Sequence, residues 1–217
     1  MAVHHQATIV PTKAELLAAW VPAQSWAADA DTSELTRLGS YRFDDPDGEV
    51  GVETHLLATA DGRVLQVPLT YRGAPRAGAE GSLVTTMTHT TLGDRWVYDA
   101  RYDPVYASTL AAAIAGGGRE ADLFLAAPGG LELQPASARV RGTGSGASPT
   151  ASSWASPRVV VDGTSSRIDG DGASLTVLHV LRTTTTDARL DGPVLTGTWP
   201  GQEQPVLLAG LATTLRA

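Results

Sequence analysis

Two pairs of strand-like runs, each folded back at a step that joins Asp and Gly, constrain the first half of this chain to an antiparallel sheet. Residues 50–59 and 63–71 are rich in Val, Leu and Thr and meet at Asp61-Gly62, a dipeptide suited to the positive φ of a tight hairpin. Residues 83–91 and 95–98 repeat the arrangement around Gly93-Asp94. Pro68 has no N–H to give to a ladder, so the strand that holds it is expected at a sheet edge or bulged there.

Two helices flank these hairpins. Thr12 is an N-cap with Glu15 as its capping-box partner, and Leu16, Leu17 and Trp20 share one face of a helix predicted to end near Val21-Pro22. A polar stretch follows it. The second helix is signalled by Asp103 as N-cap, Pro104 at the first position and Tyr106, Leu110 and Ile114 at i, i+4, i+8; Gly116-Gly117-Gly118 stops it.

Beyond Gly118 the composition changes to short runs separated by Gly, Ser, Pro and Asp. Strands are predicted over 123–126, 131–134, 158–161, 175–182 and 206–209, with no helix. The segment from Gly142 to Ser153 has linker composition and is expected to form a mobile loop. The expected architecture is α+β: an antiparallel sheet with two main helices over 1–118, then a β-rich half over 119–217.

With 217 residues, 42% of them hydrophobic, the chain can bury one sizeable core or two small ones. No run of roughly 18 apolar residues would span a bilayer and no signal peptide is evident, so a cytoplasmic protein with no membrane partner is expected. A net charge of −7 with scattered arginines argues against nucleic acid as a partner. Fifteen of the sixteen Lys and Arg residues are arginine, and the chain is rich in Ala, Gly and Thr, which reads as the codon bias of a high-GC bacterium. Lys13 is the only lysine and there is no cysteine, which excludes a thiolate nucleophile and a cysteine metal site.

Few residues suggest chemistry. Glu49, Glu53 and His55 alternate with apolar residues and are read as the solvent face of an amphipathic strand. Residues four apart on a strand are roughly 13 Å apart, so only Glu53 with His55 could share an ion. Of Asp94, Asp99 and Asp103, two have structural accounts, Asp103 as a helix cap and Asp94 as a turn residue. Asp99 is left as the candidate acid or base, or as a partner for Arg101 or Arg72. The glycines at 142–146 lack the spacing and setting of a phosphate loop. Asp169-Gly-Asp-Gly172 and Asp44-Asp-Pro-Asp-Gly48 read as hairpin turns rather than calcium loops. His4 and His5 are read as solvated, His89 and His179 as structural, and no serine sits in a G-x-S-x-G elbow. Trp20 is in phase with the helix core, which leaves Trp26 as the tryptophan expected at the surface, where an indole face could stack on a sugar.

The order of helix, Trp20-Val-Pro-Ala-Gln-Ser-Trp26, a hairpin ending Gln66-Val-Pro-Leu-Thr-Tyr-Arg72, then Trp96-Val-Tyr-Asp-Ala-Arg-Tyr-Asp-Pro104 and a second helix resembles the N-terminal cap domain of bacterial maltokinases over roughly residues 9–115. Those enzymes phosphorylate maltose with ATP on the route from trehalose to α-glucan, and the resemblance implies an antiparallel sheet packed with helices. One departure is Ser25, where the cap pattern usually has a basic residue. A fainter similarity extends into the β-rich half, which resembles a degenerate kinase N-lobe: the run 175–182 is similar to the strand that presents the ATP-binding lysine, with Leu178 at the lysine's place. The chain ends near the point where a kinase C-lobe would begin, and the kinase catalytic-loop and metal-binding motifs are absent.

The resemblance therefore implies a stand-alone, non-catalytic cap-like accessory protein in trehalose, maltose or α-glucan metabolism, whose partner is an enzyme of that metabolism or a glycan. No cofactor and no metal are expected. A carbohydrate- or small-ligand-binding module using Trp26, and an enzyme with a site around Asp99, Arg101 and Arg72, are the alternatives. Trp26, Arg72, Asp99 and Arg101 are the binding candidates.

Overall fold

In the computed structural model, which describes residues 2–4, 8–127, 130–184 and 190–213, the capping box at Thr12 forms as the sequence predicts. The Thr12 hydroxyl accepts from the Glu15 N–H, and the Glu15 carboxylate accepts from the Thr12 N–H at 2.8 Å. The helix it starts, α1 (Lys13–Trp20), runs into a 3-10 turn over Val21–Ala23. Ahead of it lie β1 (Ala2–His4) and β2 (Ile9–Val10). After it come β3 (Leu35–Phe43), β4 (Val50–Thr59), β5 (Val64–Arg72), β6 (Leu83–His89) and β7 (Gly93–Asp99), then α2 (Pro104–Ala115). The second half is β8 (Leu123–Ala127), β9 (Gly130–Gln134), β10 (Arg139–Gly142), β11 (Arg158–Asp162), β12 (Ser165–Asp169), β13 (Ala173–Leu178), β14 (Val180–Leu181), β15 (Val194–Trp199) and β16 (Gln202–Thr213). The fold is α+β, with mostly antiparallel sheets and two helices.

The first sheet has the order β2-β6-β7-β5-β4-β3, with β14 also pairing to β5. Both predicted hairpins are there, and Gly62 (φ +81°) and Gly93 (φ +71°) take the left-handed conformation their turns require. Pro68 is not at an edge. β5 is central, but β14 pairs it only at Val64 and Leu65 and β7 only from Leu69 onward, so Pro68 falls in the gap between two partners. The polar stretch before residue 50 is in fact an extended strand, β3, broken by a register shift at Gly39. A Cβ there would lie 2.5 Å from the Ser137 carbonyl oxygen.

The second sheet runs β10-β15-β16-β13-β12-β11, and a third, small one β1-β8-β9. The run 175–182 is not one strand. It breaks at His179, so that β13 pairs with β16 in the second sheet while β14 crosses to β5 in the first. Helix α2 lies between the two large sheets, touching β3 and β4 on one side and β10, β15 and β16 on the other. Tyr106, Leu110 and Ile114 are fully buried, and so are Ala107 and Ala111, whose small side chains let backbone approach closely. One hydrophobic cluster accordingly joins Tyr41, Phe43 and Val52 to Trp154, Ile168, Leu175 and Leu195 across the glycine turn at 116–118. A second cluster fills the space between α1 and the opposite face of the first sheet, with Leu16, Leu17, Val21, Leu57, Leu65 and Val67.

The glycine-rich segment after β10 is fitted to the end of α2 instead of forming a free loop. The Gly144 N–H donates to the Ile114 carbonyl and the Gly146 N–H to the Ala115 carbonyl, both at 3.0 Å, satisfying helix-terminal acceptors. A Cβ on Gly144 would lie 2.3 Å from the Ala115 oxygen, which is why linker-like residues stand there. The Asp44–Gly48 and Asp169–Gly172 segments are hairpin turns as predicted, and the Asp45 carboxylate accepts from the N–H groups of Asp47, Glu49 and Val50. His4 stands in β1, and His5 lies outside the described residues. No helix among the described residues is long and apolar enough to cross a membrane.

Candidate functional site

Three of the four sequence-derived binding candidates meet, out of water, where the two large sheets join. β7 delivers Asp99 to the start of a 3-10 turn (Ala100–Tyr102), where its carboxylate caps the Arg101 N–H and takes the Arg101 side chain through Nε and Nη2. Arg101 Nη1 donates to Ser166 Oγ on β12 at 2.9 Å, and Ser166 Oγ lies 2.8 Å from His179 Nε2. Burial, together with the Arg101 charge, holds the His179 ring down at about 3, so the ring is neutral. Its Nδ1–H therefore donates to the Gln66 carbonyl at 3.2 Å, and Ser166 donates to Nε2. Trp26 stacks on His179, ring centroids 4.5 Å apart, with the Arg101 guanidinium 6.0 Å from its ring.

This corrects the expectation for the tryptophans. Trp26 is 2% exposed and offers no face to a sugar, whereas Trp20 is only half-buried and meets Trp26 edge-on at 6.3 Å. The Ser166–His179 pair has the spacing of a nucleophile and its base, but both residues are fully buried. The fourth candidate, Arg72, forms a separate bond: its Nε and Nη2 grip Asp103 at 2.8 and 2.7 Å, while Asp103 also caps α2 and accepts from Thr70. Burial is the largest influence on the Asp103 carboxyl and would raise it, but the Arg72 hydrogen bond and charge and the Val105 and Thr70 hydrogen bonds together outweigh it, and the net direction is down. Asp99 thus acts as a cap and arginine partner, the structural role weighed against the catalytic one.

A different cluster has access to solvent. Glu53 and His55 share one face of β4, as alternation predicts, but that face is covered: Glu53 is 3% exposed and His55 fully buried. Helix α1 lies over it and lowers Lys13 Nζ to 2.5 Å from Glu53 Oε2, with the ammonium 5.3 Å from the Tyr71 ring centroid. On the neighbouring strand Arg42 is in register with Glu53 and Ser40 with His55. His55 Nε2 shares a 3.0 Å hydrogen bond with the Tyr71 hydroxyl, while its Nδ1 has no partner among the described residues. Burial is the largest influence on the Glu53 carboxyl and would raise it, but the Lys13 charge and hydrogen bond, with His55 and the Arg42 charge beside it, together bring it well below the usual range; burial lowers His55 to about 4. Two cavities flank the cluster, about 350 and 270 Å³, and Lys13, Arg42 and Glu53 line both. The remaining member of the predicted polar face, Glu49, is exposed. No group of three or more His, Asp or Glu among the described residues could hold a metal ion.

Two glutamines of the cap-like signatures also tie the fold together. Gln24 donates to the Trp20 carbonyl inside the Trp-x-Pro-x-Gln-x-Trp corner, and Gln66 ties β5 to the second sheet through the carbonyls of Leu178 and Leu208. Residues 20–103 match the family model of the maltokinase N-terminal cap domain. The matched part contains Trp26, Arg72, Asp99, Arg101, Glu53 and His55, whereas Lys13, Ser166 and His179 lie outside it. No curated protein sequence matches the chain. Among solved structures, a glucosamine kinase in complex with glucosamine, ADP and inorganic phosphate is similar at 17% identity and a TM-score of 0.47. The similarity covers 95% of this chain and 42% of that one.

Sequence reasoning missed Lys13, Arg42 and Tyr71 as parts of a cluster, together with Arg37, whose charge also reaches His55. The one available signal was the pairing of a lone lysine at a helix start with a strand face carrying Glu and His. Without β3 recognised, the arginines opposite that face were out of view.

Proposed function

We propose that this protein is a non-catalytic, cap-like module that works by contact with an enzyme of maltose, trehalose or α-glucan metabolism. The observation that carries this reading is the correspondence between residues 20–103 and the cap-domain family. The use of the signature residues supports it: Trp26, Asp99 and Arg101 bind one another and the second sheet, and Arg72 binds Asp103. An acid or base at Asp99 would have to leave a buried guanidinium to react, which argues against the enzyme reading. The glycan-binding alternative loses its stacking platform with the burial of Trp26.

Affinity capture with the tagged protein from a native lysate, followed by mass spectrometry, tests the proposal. Enrichment of an enzyme acting on maltose, trehalose or α-glucan over an Arg101→Ala-destabilised control is expected. Recovery of no such enzyme from cells that express one counts against it.

A further inference from the structure

Strand β11 is the last strand of the second sheet, and among the described residues no strand pairs with its outer edge. At the sheet's other end β10 is covered, by a bridge from Arg119 to Arg141. Four of the five residues of β11 are exposed, Val160 and Val161 at 39% each, although valine is among the residues most often buried. Two 3-10 turns touch the strand, Ser25–Ala27 and Ala100–Tyr102, but they belong to the buried layer beneath it, where Arg101 bonds Ser166 with the Trp26 ring 6.0 Å away. No proline, lysine or bulge interrupts β11, and such devices are how proteins keep a bare edge from pairing.

The hairpin decides which groups face outward. Its two-residue turn, Gly163-Thr164 with Gly163 at φ +54°, closes on the Asp162–Ser165 pair. Residues flanking such a turn are hydrogen-bonded to each other and the ladder alternates from there, so Arg158, Val160 and Asp162 turn their amides toward β12 while Val159 and Val161 turn theirs to the open edge. The side chains divide in the same way. Val159 and Val161 stand on the face of Ile168 and Ser166, both fully buried, and Arg158, Val160 and Asp162 stand on the outer face. The Arg158 and Asp162 side chains have no partner among the described residues; Asp169, in register with Arg158, is taken by Arg167 at 2.9 Å.

We propose that β11 pairs with β11 of a second copy of this chain, antiparallel about a two-fold axis at Val160. The run Arg-Val-Val-Val-Asp is its own complement in this register. Val159 of each copy meets Val161 of the other with outward amides on both. Arg158 meets Asp162 twice on the outer face, in pairs without backbone hydrogen bonds, where facing side chains come closest. A slip of one residue would set outward amides against inward ones, so the register is specified by the backbone as well as by the charges. One patch used twice in this way is the isologous interface of a closed dimer. A single short strand pair is a small interface, and the dimer is expected to be weak, with a dissociation constant in the micromolar range or above. The inference is independent of the cap-like role and stands or falls on its own.

Sedimentation equilibrium of the full chain over a concentration series tests it, and a monomer–dimer equilibrium is expected. Arg158→Asp and Asp162→Arg, each alone, set like charges opposite each other twice and should weaken dimerisation about tenfold or more. An equal mixture of the two variants should restore it, because each copy then carries the charges the other lacks. Val160→Lys places two ammonium groups at the axis and gives a further reading that uses neither charge pair; it should weaken the dimer as well. All three positions are exposed, and circular dichroism checks that the variants keep the fold. Arg139→Asp, exposed on β10 at the far end of the same sheet, should leave dimerisation unchanged. A mass that stays monomeric up to about 1 mM overturns the proposal and leaves the edge to a strand of another protein or to water. Native dimerisation in Val160→Lys and both charge variants overturns it too, and so does a mixture no tighter than either charge variant alone.

Discussion

Asp99 and Arg101 stand two residues apart with side chains only 7% and 4% exposed, so neither charge has water to fall back on. Removing one partner of such a pair is costlier than removing both, since the survivor stays buried and unpaired. Asp99→Ala is therefore expected to lower the unfolding free energy by about 3–5 kcal/mol, and Asp99→Ala with Arg101→Met by less than Asp99→Ala alone. Urea denaturation of the three proteins measures it; a single variant within about 1 kcal/mol of native would mean that the pair is not a structural tie. The same residues mark where a sequence stops being legible. That Asp99 would bind Arg101 could be weighed from its neighbours alone. The burial of Trp26 could not, because the ring that covers it belongs to His179, more than 150 residues away along the chain. The phase of Trp20 with Leu16 and Leu17 is real, yet it places Trp20 only at the margin of the core that α1 covers.

At the scale of elements, what was legible follows local chemistry. Both helices start at their caps and both hairpins turn at their glycines, because those signals act within four residues. β3 and the placement of Pro68 were hidden for the opposite reason. The arginines of β3 make that run read as polar, although Arg42 stands opposite Glu53 on a strand face that α1 covers, and the gap beside Pro68 is bounded by β14, which arrives from the other half. The glycine segment at 142–146 was misread as a linker since composition cannot distinguish a glycine chosen for freedom from one chosen for close approach. Substitution separates the two. Gly144→Ala drives a methyl group into the Ala115 and Ile114 carbonyls and should cost about 1–3 kcal/mol. Gly146→Ala, with nothing within 4 Å of the new methyl, should be neutral or stabilising by up to about 1 kcal/mol. Thermal unfolding of the two variants decides it, and equal effects would remove the packing role assigned to Gly144.

At the scale of the whole molecule two histidines are fully buried at junctions between layers: His55 beneath α1, and His179 at the crossing from the second sheet to the first. Burial keeps both neutral in the folded state, at about 4 and about 3, while in the unfolded chain each takes a proton near 6.5. Below about pH 6.5 the unfolded state thus binds more protons than the folded one, so stability falls as pH falls, by about 1.4 kcal/mol per pH unit for each histidine, until the folded-state values are reached. The depressed carboxyls of Glu53 and Asp103 act in the same direction but lower, from about 4.5 and 3.8 downward, where the unfolded chain protonates first. The histidine window is accordingly the one between about pH 6.5 and 4.5. Unfolding free energies from urea titrations at half-unit steps across it should decline with a slope approaching two protons. His55→Gln should reduce that slope by about one proton whatever it does to the absolute stability, and His179→Gln likewise. A slope unchanged in both variants would mean that the two rings titrate alike in the folded and unfolded chain, and that the burial which joins the α1 layer and the second sheet to the first is not closed to water.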